Sequence, residues 1–140
     1  VTEIAATVVD SDVFSLLYVV RPINDPRVPR WQALLAGRRV LIAFHTRAEV
    51  LAGALSAGWG TRRMVEVIDV LNRTPTIHSD DEVVGTYAAL TAECRRVGHA
   101  LHDKVHTGDR WIAACVIAKQ LDLLSGDAIY QDAPNLVLRS

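Results

Sequence analysis

Short apolar runs alternate along this chain with longer stretches whose apolar positions recur every three or four residues. Ile4 to Val9, Val40 to Phe44 and Leu121 to Leu124 are brief and almost wholly apolar. Such runs predict strands buried on both faces. Between them the spacing is helical. Val13, Leu16, Leu17 and Val20 form one stripe, and Trp31, Leu34 and Leu35 another, with Pro29 in its first turn. Val50, Leu51, Ala54 and Leu55 follow, then Met64, Val65, Val67, Ile68 and Leu71. The longest stripe runs through Val83, Val84, Tyr87, Leu90, Cys94, Val97 and Leu101. A last one carries Ile112, Ala113, Val116, Ile117 and Leu121. Thr74 to His78 is a short extended piece, and Leu136 to Leu138 an edge strand. Strands alternating with helices predict an α/β fold around a mainly parallel sheet.

Polar punctuation fits this order. Arg21-Pro22 and Asp25-Pro26 break the chain, and Gly58 and Gly60 close a helix. Ser11 or Asp12 is placed to cap the first helix. Thr46 and Glu49 have capping-box spacing, as do Ser79 and Glu82. Gly108 ends one segment and Asp109 opens the next. No repeat, low-complexity tract or linker divides the chain, so one domain over residues 1–140 is expected.

Half of the 140 residues are apolar, enough for a sizeable core. The net charge of −1 exerts no general pull toward nucleic acid. Its distribution is uneven. From residue 21 to 63 there are eight arginines (Arg21, Arg27, Arg30, Arg38, Arg39, Arg47, Arg62, Arg63) against two acids, Asp25 and Glu49. If gathered on one side, they make a basic surface beside an acidic site. Cys94 and Cys115 lie within apolar helical patterns and read as buried thiols of a reducing, cytoplasmic protein. No apolar run approaches the ~20 residues of a membrane span, and the first residues lack a basic leader.

The candidate chemistry lies in four acids at matching places. Asp10 follows the first strand, and Glu49 sits in the first turns after the second. Asp109 stands at a helix start, and Asp127 follows a late strand. In an open α/β sheet, strand ends and helix starts meet along one rim. Carboxylates gathered there raise one another's pKa. A divalent cation relieves that repulsion, and Mg²⁺ or Mn²⁺ suits oxygen ligands. Taken singly, each acid has a plainer explanation: Asp109 as an N-cap, Glu49 as a capping-box residue, Asp127 as part of a turn.

Four pieces carry a family resemblance: VVDSDVFSLLY (8–18), TRAEVLAG (46–53), GDRWIAA (108–114) and SGDAIY (125–130). In order and spacing they resemble the PIN-domain family, in particular the VapC-type ribonuclease toxins of bacterial toxin–antitoxin pairs. The resemblance implies a three-layer α/β/α domain. It implies that Asp10, Glu49, Asp109 and Asp127 form a metal-site quartet, with Ser125 orienting it. The implied reaction is Mg²⁺- or Mn²⁺-dependent hydrolysis of an RNA phosphodiester, with a cognate antitoxin and a homodimer as protein partners. Arg47 and Arg110, nearest the acids in sequence, are the expected contacts to the RNA backbone. Two positions depart from the family pattern: Gly108, where an Asn is common, and Asp12, where a small hydroxyl residue is more usual.

Other readings compete. Asp10-Ser-Asp12 after a strand also resembles the first motif of haloacid-dehalogenase-type phosphatases, with Asp10 as nucleophile, Asp12 as acid/base and Asp127 and Asp132 as the late acids. Val13-Phe14 fits that pattern poorly. His99, His102 and His106 invite a zinc site, although histidines near a helix C-terminus are common. His45 follows a strand near the acids and carries no other mark. A non-catalytic RNA- or protein-binding module is the third reading.

Overall fold

The computed structural model describes residues 4–20 and 24–140. Arg21 and Pro22, expected to break the chain, lie outside the described residues. Strand β1 (Ala6–Val9) leads into helix α1 (Ser11–Phe14), which widens into a π-helical turn at Ser15–Val19. Then follow α2 (Arg27–Leu35), β2 (Arg39–Ala43), α3 (Phe44–Ser56), α4 (Thr61–Arg73), β3 (Thr76–Ile77) and α5 (Asp81–Val97). Helix α6 (Thr107–Ala118) and strand β4 (Asp122–Leu124) complete the order. The strands pair in parallel, in the order β3-β2-β1-β4.

Alternation along each strand sorts the core into two halves. Val8, Ala43, Ile77 and Leu123 face α5 and α6, meeting Val83, Leu90, Cys94, Ile112 and Val116. Val9, Ile42 and Leu124 face the other way, against Val13, Phe14, Trp31, Val50, Val67 and Leu71. The sheet is thus covered on both sides, which makes three layers and explains strands apolar at nearly every position.

Several local expectations change. Asp10, not Ser11 or Asp12, caps α1, accepting from the Val13 N–H at 3.0 Å. Strand β2 passes into α3 without a connecting residue, so Ala43 is the N-cap and Thr46 lies fully buried in the first turn. The Thr46–Glu49 capping box therefore does not form. Asp80 rather than Ser79 caps α5, accepting from Val83 N–H at 2.9 Å. Helix α5 stops at Val97, and Leu101 is buried in a separate 3₁₀ turn, Ala100–His102. Leu136 to Leu138 make one bridge to Leu123 rather than a strand, after left-handed turns at Asp132 and Asn135. Leu55, Val65, Ile68 and Val84 are exposed, rotated past the buried stripes of their helices. Cys94 and Cys115 are buried free thiols, and burial pushes the Cys115 thiol up to about 12. No helix among the described residues is long and apolar enough to cross a membrane.

Arginines among the described residues are engaged in separate contacts. Arg38 donates to Thr7 Oγ1 at 2.7 Å and faces Asp122, while Arg62 pairs with Glu66. Arg63 lies over the Trp59 ring. Arg110 is buried: its guanidinium donates to the carbonyls of Leu101 and Asp103 and, at 2.7 Å, to the Tyr87 hydroxyl. Removing those donors strands buried acceptors, which costs on the order of 1–3 kcal/mol. Arg110→Met is expected to lower stability by about 2 kcal/mol, measured by urea unfolding; an unchanged midpoint would show that water serves those carbonyls equally well.

Candidate active site

Because the sheet is parallel, the C-terminal ends of β1, β2 and β4 share one rim. Asp10 is the first residue beyond β1. Its N–H donates to the Leu124 carbonyl at 3.1 Å, which locks it against the end of β4. One carboxylate oxygen is engaged by the α1 cap and the other accepts from Ser125. Ser125 Oγ also accepts from the Asp127 N–H at 2.9 Å, so one hydroxyl joins the first acid to the turn bearing the last. Asp10, Ser11, Asp12, Glu49, Asp109, Asp127 and Tyr130 line a single small, open cleft.

Glu49 reaches the cleft from α3. Its Oε1 accepts from Ser11 Oγ at 2.9 Å and lies 3.0 Å from His45 Nε2, one helical turn earlier. Asp109 is in the first turn of α6, whose N-cap position is His106, so it is not itself the cap. Its Oδ2 lies 3.0 Å from His106 Nδ1, and its Oδ1 accepts from the Tyr130 hydroxyl at 3.4 Å. Asp127 caps the 3₁₀ turn Ala128–Tyr130, accepting from Ile129 N–H at 3.0 Å.

Burial leads the electrostatics of the cleft. Burial pushes the Asp10 carboxyl from 3.8 up to about 6; hydrogen bonds from Ser125 and Val13 pull it down, and Asp12 and Asp127 add repulsion. The buried Tyr130 phenol is held far above its ordinary range, first by burial and then by the fields of Asp109, Asp10, Asp127 and Glu49. Those fields meet at its hydroxyl. Tyr130 ends the SGDAIY piece three residues after Asp127 and is given no role there, since a tyrosine at that spacing is an ordinary core residue.

As they stand, no three His, Cys, Asp or Glu side chains among the described residues converge on one point. The acids nonetheless suit a hard divalent cation. They offer only carboxylate oxygens, Asp10 carries a charge whose burial is costly, and the cleft is open to the waters that Mg²⁺ keeps.

The expected RNA-contacting arginines are elsewhere. Arg110 points into the core, as described above, because the helix carries it away from its neighbour Asp109. Arg47 donates to the Leu71 carbonyl at 2.9 Å and to Asn72, closing the end of α4. A different arginine, Arg27, stands near the acids. Its guanidinium is gripped by Asp25 and lies 4.9 Å from the centre of the Trp31 ring. Asp12 and Asp10 are near enough to raise its pKa, after the larger effect of Asp25. A Cβ on Gly126 would stand 3.0 Å from that ring and 3.1 Å from the guanidinium, so any larger residue beside Asp127 would press this pair back by a few tenths of an ångström. Nothing in sequence links residue 27 to the acids.

The histidine trio does not form a metal site. His99 bonds the Gln131 carbonyl at 2.7 Å through Nε2 and accepts from Leu101 N–H, while His102 faces Asp103. Only His106 turns to the cleft.

Comparison with known proteins accords with this architecture. The chain resembles VapBC2 from Rickettsia felis bound to a DNA fragment from their promoter, with a TM-score of 0.75, 18% identity, and coverage of 95% of this chain and 96% of that one. DNA-bound VapBC from Salmonella typhimurium gives 0.71 at 16% identity, covering 96% and 97%. VapBC-5 from Mycobacterium tuberculosis gives 0.62 at 22% identity, covering 97% and 99%. At such identities the likeness is one of fold. No curated protein sequence is matched. A family model for the PIN domain matches residues 7–136, nearly the whole chain. The chain therefore belongs to the PIN domain family.

Proposed function

We propose that this chain is a divalent-metal-dependent endoribonuclease and the toxin of a toxin–antitoxin pair. The observation that carries this reading is the crowding of Asp10, Glu49, Asp109 and Asp127 in one cleft, with the Asp10 carboxyl pushed up to about 6 mainly by burial. Such a cluster is costly unless a cation offsets it. A Mg²⁺ or Mn²⁺ ion held by these four acids would supply charge for a phosphate oxygen and acidify a bound water. The chain's own part is positioning. Ser125 and the Val13 N–H fix Asp10, Ser11 fixes Glu49, and Tyr130 and His106 fix Asp109. Arg27, steadied by Asp25 and Trp31, would take an RNA phosphate at the cleft's edge.

The solved structures it resembles include complexes named as VapBC pairs and a toxin–antitoxin complex from Klebsiella pneumoniae. They support a protein antitoxin as this chain's partner. A groove lined by Ser15, Val19, Gly53, Ala54 and Trp59 runs from the acids and offers that partner an apolar seat. A homodimer belongs to the same reading and is tested by the mass of the purified chain in solution. The haloacid-dehalogenase reading yields to the PIN match. Moreover, both oxygens of Asp10 are already engaged by Val13 and Ser125, which suits a fixed ligand better than a nucleophile.

Purified protein is expected to cut RNA with Mg²⁺ or Mn²⁺ and not with chelator. Asp10→Asn, which keeps the acceptor for Val13 N–H and makes the Ser125 contact a donated one, should lower the rate by more than about 100-fold. Equal cleavage by this variant would refute the assignment. Arg27→Ala should raise KM for RNA several-fold with little loss of folding; an unchanged KM would remove Arg27 from the substrate path.

The Asp10 shift also has a stability signature. A carboxyl raised from 3.8 to about 6 on folding stabilises fully below the lower value, and that contribution is lost as pH rises through the upper one. In chelator, Asp10→Asn should therefore gain on the wild type between about pH 4 and pH 7, by up to about 3 kcal/mol at ~1.4 kcal/mol per unit. Urea melts at both ends of that window check this, and a constant difference would contradict it.

A further inference from the structure

His45 and Gly108 account for one another. A Cβ built on Gly108 would stand 2.2 Å from His45 Nε2 and 2.9 Å from its Cε1. The imidazole therefore occupies the space a side chain at 108 would need. Gly108 is the residue before Asp109, in the first turn of α6. The same Nε2 lies 3.0 Å from Glu49 Oε1, and that oxygen also accepts from Ser11, the residue after Asp10. One ring thus touches the backbone carrying one acid and the carboxylate of a second, and through Ser11 it reaches the segment of a third.

From this contact set we infer that His45 is a positioning residue that fixes Glu49 relative to Asp109, and that Gly108 is glycine to admit it. The inference rests on the reading of these acids as a metal site. It assigns a physical reason to Gly108, the departure from the family pattern, and a role to His45, which otherwise has none. Nε2 stands 3.0 Å from the same Glu49 oxygen that the Ser11 hydroxyl donates to, so that oxygen is held between a hydroxyl and an imidazole. Such outer partners keep a carboxylate in one rotamer and commonly affect metal affinity by about 10–100-fold. Any side chain at 108 must push the ring aside, and the ring has to leave Glu49 in order to move.

The test is a double-mutant cycle over His45→Ala and Gly108→Ala, with His45→Gln as the conservative variant. Its first readout is the melting temperature in chelator. Alanine is the better helix former, so it should stabilise α6 wherever there is room. Gly108→Ala is expected to lower Tm when His45 is present and to raise it in the His45→Ala background. The second readout is Mn²⁺ affinity by calorimetry. His45→Ala and Gly108→Ala should each weaken it by about 10-fold, the double variant no more than either single one, and His45→Gln should recover part of the loss. Additive effects in both readouts, or Mn²⁺ affinity indifferent to His45, overturn the inference. Mn²⁺ binding without RNA cleavage would sink only the nuclease reading, and the affinity cycle would still decide His45. A wild-type chain that binds no Mn²⁺ defeats both.

Discussion

A carboxylate carried into the protein at the end of a central strand is the constraint that orders everything around it. Asp10 is nearly inaccessible, yet it must be solvated by something. The chain supplies its own solvent, the N–H of Val13 and the hydroxyl of Ser125, while the backbone N–H of Asp10 is bonded to Leu124. These contacts force α1 to begin at once and tie the turn after β4 to the end of β1. The fold's active rim is therefore also the place where its two central strands are sutured. The opposite end is treated differently. There Asp122 is met by Arg38 and Arg139 and accepts from buried Thr7, so charge is balanced by charge. At the Asp10 end it is balanced mainly by dipoles, which leaves excess negative charge for a ligand.

The architecture was legible because burial on both faces removes ambiguity. Runs such as VLIAF (40–44) flanked by helical stripes leave little choice but a covered parallel sheet, and such a sheet dictates where strand ends gather. That reasoning placed Asp10, Glu49, Asp109 and Asp127 around one cleft, where the structure also has them. Local capping was harder to read, because Asp, Ser and Thr in succession offer rival caps separated by a single residue. Asp10 serves as cap and cleft carboxylate together, so the two readings of that acid were never exclusive.

The cations were misplaced for a different reason. Arg47 and Arg110 are neighbours of acids in sequence, but successive helical residues diverge by about 100°. Being next to Asp109 is thus a reason for Arg110 to face elsewhere. Arg27 comes to the cleft through tertiary structure alone, whereas His45 stands one helical turn before Glu49 and Tyr130 three residues after Asp127, spacings that ordinary helix and turn residues share. Gly108 was visible as an irregularity, and only the position of the His45 ring turns it into a complement.

The connection from Gly98 to His106 has the composition of a surface loop, the sort of segment in which length usually drifts freely. Here that freedom is curtailed. Leu101 and Asp103 give their carbonyls to Arg110, and His106 rests on Asp109, so the loop is fastened to the first turn of α6 from two sides. An insertion there would shift the helix start that carries a cleft acid. Among relatives of this chain, variation in length should accumulate at other loops, and a tag or fused module grafted into this one would be paid for at the cleft.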